Sequence, residues 1–216
     1  MRKLLTATLA IAALSLLSST ALAADKTLAI VVKGLDNPFF EQINLGCQKW
    51  NKENASSGYK CLYTGPASSA DEAGEVQIVE DLLNKPDIAA IAISPSNAPL
   101  MANLLKKVNP KIPVMTIDAD LATADAALRK TYLGTDNYLM GVKFAEHLKK
   151  LKPEGGTVCL QLGNVAAANI NARAAGTRDT LSGTKGIERL KGEGGWTEID
   201  GCPVFTNDDG PKGVQA

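Results

Sequence analysis

Five polar residues, Lys33, Asn37, Ser94, Asp118 and Asn137, each stand just past an apolar run that reads as a strand. A carboxylate such as Asp118 accepts hydrogen bonds from two hydroxyls at once, while asparagine amides and the Ser94 hydroxyl can both donate and accept. Phe39 and Phe40 follow Asn37 directly. On a 3.6-residue period two adjacent aromatics cannot both face a core, so at least one is expected to look into a crevice. The chemistry on offer is recognition. The single histidine, His147, lies inside a helical stretch beside Lys149 and Lys150. No glycine-rich phosphate loop follows a strand. Asp208 and Asp209 are adjacent on one loop, and such a pair rarely flanks a scissile bond. Neither catalysis, nor a metal, nor a cofactor is expected.

The same residues also have plainer roles. Asp118 could simply turn the chain after its strand. Lys33 could reach a ligand hydroxyl or carboxylate, or end its strand in solvent. The sequence leaves both choices open, as it does which of Phe39 and Phe40 is the ring wall.

These positions require a repeated strand–loop–helix frame. Residues 28–32 form a continuous apolar run, as expected of a parallel strand covered on both faces. Gly34 lets the chain turn, and Asn37 is placed to cap a helix whose first residue is Pro38. The pattern repeats with strands at 59–63, 88–93 and 112–117 and helices at about 71–83 and 98–108. Connections this short call for right-handed βαβ units and a parallel three-layer sandwich. Residues 121–130 are weakly patterned. Residues 132–137 read as a crossing into a second α/β unit with helices at about 138–151 and 168–181 and strands at 157–162 and 198–205. The fold class is α/β, with two doubly wound, Rossmann-like parallel-sheet domains at 24–133 and 134–216. The second is incomplete, because the ending at 206–216 reads as a loop and the opening of a further helix, as in a fragment or an interrupted reading frame.

Arg2 and Lys3 precede an apolar run over 4–17 that ends in Ala21-Leu22-Ala23, the pattern of a secretory signal peptide over 1–23. The run is shorter than the roughly 20 apolar residues of a membrane span, so the protein is not expected to be membrane-embedded. Acidic and basic residues balance at 23 each, which argues against nucleic acid as a partner. The four cysteines suit an exporting, oxidising compartment. Cys47, on the first helix, can meet Cys61 on the next strand, and Cys159 can meet Cys202 if their strands are neighbours.

Four segments carry a family resemblance: 29–40 (AIVVKGLDNPFF), 91–96 (IAISPS), 112–118 (IPVMTID) and 133–141 (LGTDNYLMG). In this order they resemble the periplasmic sugar-binding proteins of ABC transporters, ribose-binding type. The resemblance implies a type I periplasmic binding fold, monomeric and periplasmic, with a sugar held between two domains and passed to a permease. A sensor that presents its sugar to a chemoreceptor or kinase would share the same residues. A regulator built on this core would need a helix-turn-helix where the signal peptide stands. With a carboxylate for hydroxyls and an aromatic for a ring face, Asp118 and Phe39 or Phe40 together make a carbohydrate site. By resemblance, Arg173 matches a structural arginine, Asn171 stands where ribose-type proteins place a ligand-binding arginine, Asp208 replaces an aromatic wall and Ala119 replaces a basic residue. These departures imply a monosaccharide other than ribose, or a polyol.

Overall fold

The computed structural model describes residues 25–216, so the signal-peptide reading of 1–23 lies outside the described residues. The first part of the chain lays down five parallel strands: β1 (Lys26–Val31), β2 (Tyr59–Thr64), β3 (Ile88–Ile93), β4 (Val114–Ile117) and β5 (Thr131–Leu133). Their spatial order is β2-β1-β3-β4-β5. The order reverses between β1 and β3, and in open parallel sheets a crevice forms beyond the carboxyl ends at that switch point.

Alternation along the strands decides what each face meets. Ala29, Val31, Ile91, Ile93 and Val114 form one core with α2 (Glu72–Leu83) and α3 (Ala98–Val108), which contribute Val79, Leu82, Met101, Leu104 and Leu105. Leu28, Ile30, Ala90, Ala92 and Met115 point the other way. They share an almost wholly apolar groove of about 630 Å³ with Ile43 and Trp50 of α1 (Glu41–Glu53). Among the described residues the expected two-sided cover is therefore unequal, with two helices on one face and α1 on the other. A disulfide from Cys47 to Cys61 ties α1 to the edge strand β2.

Asn37 is a cap, though not of the α-helix itself. Its side-chain oxygen accepts the Phe39 N–H at 3.0 Å and caps a 3-10 turn over Pro38–Phe40, after which α1 begins at Glu41. Residues Thr123–Leu128 form another 3-10 segment, and β5 joins the first sheet beside β4.

In the second part, α4 (Asn137–Leu151) packs on α5 (Ala168–Ser182). Gly141 and Gly176 make the close approach possible: a Cβ on Gly141 would lie 2.0 Å from the Arg173 carbonyl oxygen, and one on Gly176 would lie 2.1 Å from that of Tyr138. The strands expected at 157–162 and 198–205 are each broken. β6 (Gly156–Val158) pairs with β8 (Trp196–Glu198), and β7 (Gln161–Leu162) pairs with β9 (Val204–Phe205), all in parallel. Val158 faces Glu198 and Gln161 faces Val204, so an advance of three positions on one side is matched by six on the other. The surplus loops out through Gly201, at φ 84°, and is fastened by the Cys159–Cys202 disulfide. The core here is small, formed by Ala145, Leu181, Leu190 and Trp196. Beside it the Arg178 guanidinium grips the buried Glu198 carboxylate in a bidentate pair at 2.6 and 3.0 Å. Among the described residues no helix is long and apolar enough to cross a membrane.

Candidate functional site

Three loops at the carboxyl edge of the first sheet bring Lys33, Ser94 and Asp118 together. Lys33 follows β1 and is 5% exposed, so it is no solvated strand end. Its ammonium lies 3.2 Å from Asp118 Oδ2, and the fully buried Ser94 hydroxyl donates to the same oxygen at 2.9 Å. Asp118 Oδ1 takes no hydrogen bond from the described residues. Asp118 turns the chain as well, at φ 58°, a left-handed conformation that aspartate tolerates better than most residues. Its carbonyl oxygen accepts the Tyr132 hydroxyl at 2.8 Å.

Phe39 and Phe40 divide the work of an aromatic pair. Phe40 is 1% exposed and Phe39 is 60% exposed, with the rings edge to face at 5.2 Å. Phe39 and Asp118 line one cavity of about 410 Å³ with Ile117, Leu133 and Thr135. Asn37 sits in the same loop, half-buried, with its amide nitrogen uncommitted among the described residues.

The other candidates are placed differently. Asn137 turns into the protein: its amide nitrogen donates to the Tyr132 hydroxyl at 3.2 Å and to the Thr135 carbonyl at 2.9 Å, and its oxygen accepts from Arg173 at 2.8 Å. Asn171 is exposed, donates to the Val165 carbonyl at 2.8 Å and lines a second cavity, of about 920 Å³, with Tyr132, Tyr138 and Asn169. Asp208 is exposed in a left-handed turn against Gly163 and lines neither cavity. The structure thus assembles Lys33, Asn37, Phe39, Ser94 and Asp118 on one edge, with Phe40 as their support.

Two contributors have no local sequence signal. Tyr132 links Asp118 to Asn137 through its hydroxyl. Glu75 of α2, 1% exposed, lies behind Lys33 and accepts the Ser96 N–H at 2.9 Å and also the Ser96 hydroxyl. Burial pushes its carboxyl up to about 7, with the Ser96 hydrogen bonds and Lys33 opposing the rise and Glu72 adding to it. Gly34 is required for close approach, since a Cβ there would lie 2.4 Å from the Ser69 nitrogen.

A family model described as a periplasmic binding protein domain matches residues 28–215. The chain belongs to that family. Among curated members of the periplasmic binding protein family, it is 29% identical over 186 residues to the ribose import binding protein of Salmonella typhimurium, a match covering 86% of this chain and 60% of the relative. It is 28% identical to the D-allose-binding periplasmic protein of Escherichia coli, covering 89% of this chain and 62% of that one. This periplasmic binding protein chain therefore spans about 60% of the length of the curated relatives it matches. Among solved structures, an ABC transporter solute binding protein from Burkholderia graminis in complex with D-arabinose superposes with a TM-score of 0.70 at 28% identity, covering 89% of this chain and 60% of that one. One from Agrobacterium vitis with bound D-fucose has a TM-score of 0.71 at 20% identity, covering 84% of this chain and 58% of that one, a likeness of fold.

Proposed function

We propose that the whole protein is a periplasmic solute-binding protein that captures a monosaccharide or polyol between two α/β domains and delivers it to the permease of an ABC transporter. Residues 24–133 and 134–216 belong to the two domains, and residues 1–23 serve as a cleavable secretion signal. The protein acts as a monomer and catalyses no reaction. The observation that carries this reading is the state of Asp118. One of its oxygens is fixed by Lys33 and Ser94, while the other takes no hydrogen bond from the described residues, in a residue that lines the cavity beside the exposed Phe39 ring. The pairing of Lys33 with Asp118 cancels charge at that point, which suits an uncharged polyhydroxylated ligand. Contacts made to both domains at once favour the closed arrangement that a permease reads.

Calorimetric titration of the whole protein with pentoses, hexoses and polyols tests this. One ligand class should bind, and Asp118→Asn should weaken it at least about tenfold, the equivalent of one charge-assisted hydrogen bond. Asparagine is the right probe because it tolerates the φ of 58° at this position. Unchanged affinity in the variant would place the site elsewhere.

A further inference from the structure

The second part of the chain reaches the first through a loop that has no role in the site above. Residues 164–167, between β7 and α5, lie against the starts of α2 and α3. Glu72, the first residue of α2, accepts the Asn97 side-chain amide at 2.6 Å on one carboxylate oxygen. Its other oxygen accepts the side-chain amide of Asn164, 92 residues further on. Neither amide is a casual neighbour. Asn97 caps α3 by accepting the Leu100 N–H at 2.9 Å, which fixes its rotamer. Asn164 is 5% exposed, and its side-chain oxygen accepts the Ala166 N–H at 2.7 Å, which shapes the loop. The shaped loop then offers the Ala166 carbonyl to the Ala98 N–H at 3.4 Å. Ala98 opens α3, so this is one of the amide hydrogens that a helix start cannot satisfy internally.

We propose that Glu72 is the positioning residue of a latch that favours the arrangement in which the two parts of the chain meet, with no contribution from a ligand. A carboxylate suits the task because it only accepts, and it accepts on two oxygens at once. One oxygen is committed to an amide already fixed by helix capping, and the other is presented to the incoming loop. The latch shares no residue with the Lys33, Ser94 and Asp118 cluster. It therefore acts on the equilibrium between open and closed forms, and an apparent affinity scales with the fraction of molecules in the competent form. That last consequence rests on the binding function proposed above; the latch itself does not.

Hydrogen exchange of the disulfide-bonded chain, with no sugar present, tests it. In the wild type the amides of Ala98, Ala166 and Ala167 should exchange slowly, through rare opening. Glu72→Ala should speed exchange across 164–167 at least about tenfold, the factor that one lost charge-assisted hydrogen bond implies. Asn164→Ala should speed exchange at least as much, because it also removes the acceptor of the Ala166 N–H, and the double variant should add little to Asn164→Ala alone, as expected of partners in one interaction. Glu72→Gln, which keeps the shape and one acceptor, should fall between and guards against a failure of Glu72→Ala to fold. Unchanged exchange at 164–167 in Glu72→Gln and Glu72→Ala, or fully additive effects of Glu72→Ala and Asn164→Ala, would overturn the latch and confine Glu72 to the packing of α2 on α3. Because no sugar enters the measurement, this failure is separate from failure of the binding reading.

Discussion

The two parts of the chain solve one packing problem with different means. The five-stranded sheet presses one face against α2 and α3 through a contiguous set of buried aliphatic side chains, among them Ile91, Ile93, Met101 and Leu105. The paired short strands of the second part have a much smaller apolar core around Trp196, and they add directional and covalent links: the Arg178–Glu198 pair, the Cys159–Cys202 bridge and the glycine-mediated contact of α4 with α5. Apolar burial is additive and tolerant of small shifts, whereas a bidentate ion pair or a helix contact closer than a Cβ is not. Single substitutions should therefore damage the second part out of proportion to its core.

The sharpest test is Glu198→Ala. Burial works against the charged carboxylate, yet the Arg178 hydrogen bonds and charge hold it below its ordinary range. Removing it strands a guanidinium that is 12% exposed, at a cost of about 3–5 kcal/mol in a denaturant titration. Next come the bridges. Replacing Cys159 and Cys202 by serine opens a span of 43 residues, against 14 for Cys47 and Cys61, so the chain-entropy relation gives losses of about 4 and about 3 kcal/mol. Equal losses would mean that the second part keeps structure when unfolded.

The first part has its own vulnerable point in Glu75, and there the control is pH. Its carboxyl is raised from 4.5 to about 7 in the folded protein, so the folded state holds a proton that the unfolded state has released. Stability from this group is complete below about 4.5 and is lost as pH rises through about 7. Glu75→Gln should flatten that slope, gaining about 3 kcal/mol over wild type at pH 8. A wild-type slope retained in the variant would assign it to another group. The smallest effect expected is Gly141→Ala, about 2 kcal/mol, from a methyl forced against the Arg173 carbonyl.

Much of this frame was legible in the sequence. The strand at Ile88–Ile93 and the helix at Ala98–Val108 fall where apolar runs, Asn97 and Pro99 place them, because a buried strand and a capped helix leave local marks. The breaks in the strands of the second part left no such mark, since the three surplus residues loop out only when counted against the partner strand. Of the site, the positions just past β1, β3 and β4 were legible as an edge. The burial of Lys33 was not, because it depends on Asp118, brought close by the sheet order rather than by spacing along the chain. The inward turn of Asn137 depends likewise on Tyr132 and on Arg173, 36 residues away.

Trp196 also makes the contrast between the two parts visible in light. The chain has two tryptophans, and they fall one to each part: Trp50 on α1 beside the open groove and Trp196 sealed in the second core at 1% exposure. Emission from Trp196 should lie to the blue of that from Trp50 and move red only when the second core opens. With Trp50→Phe and Trp196→Phe in hand, each part reports its own melting by fluorescence, and whether the halves unfold together becomes a question of whether two colour changes coincide.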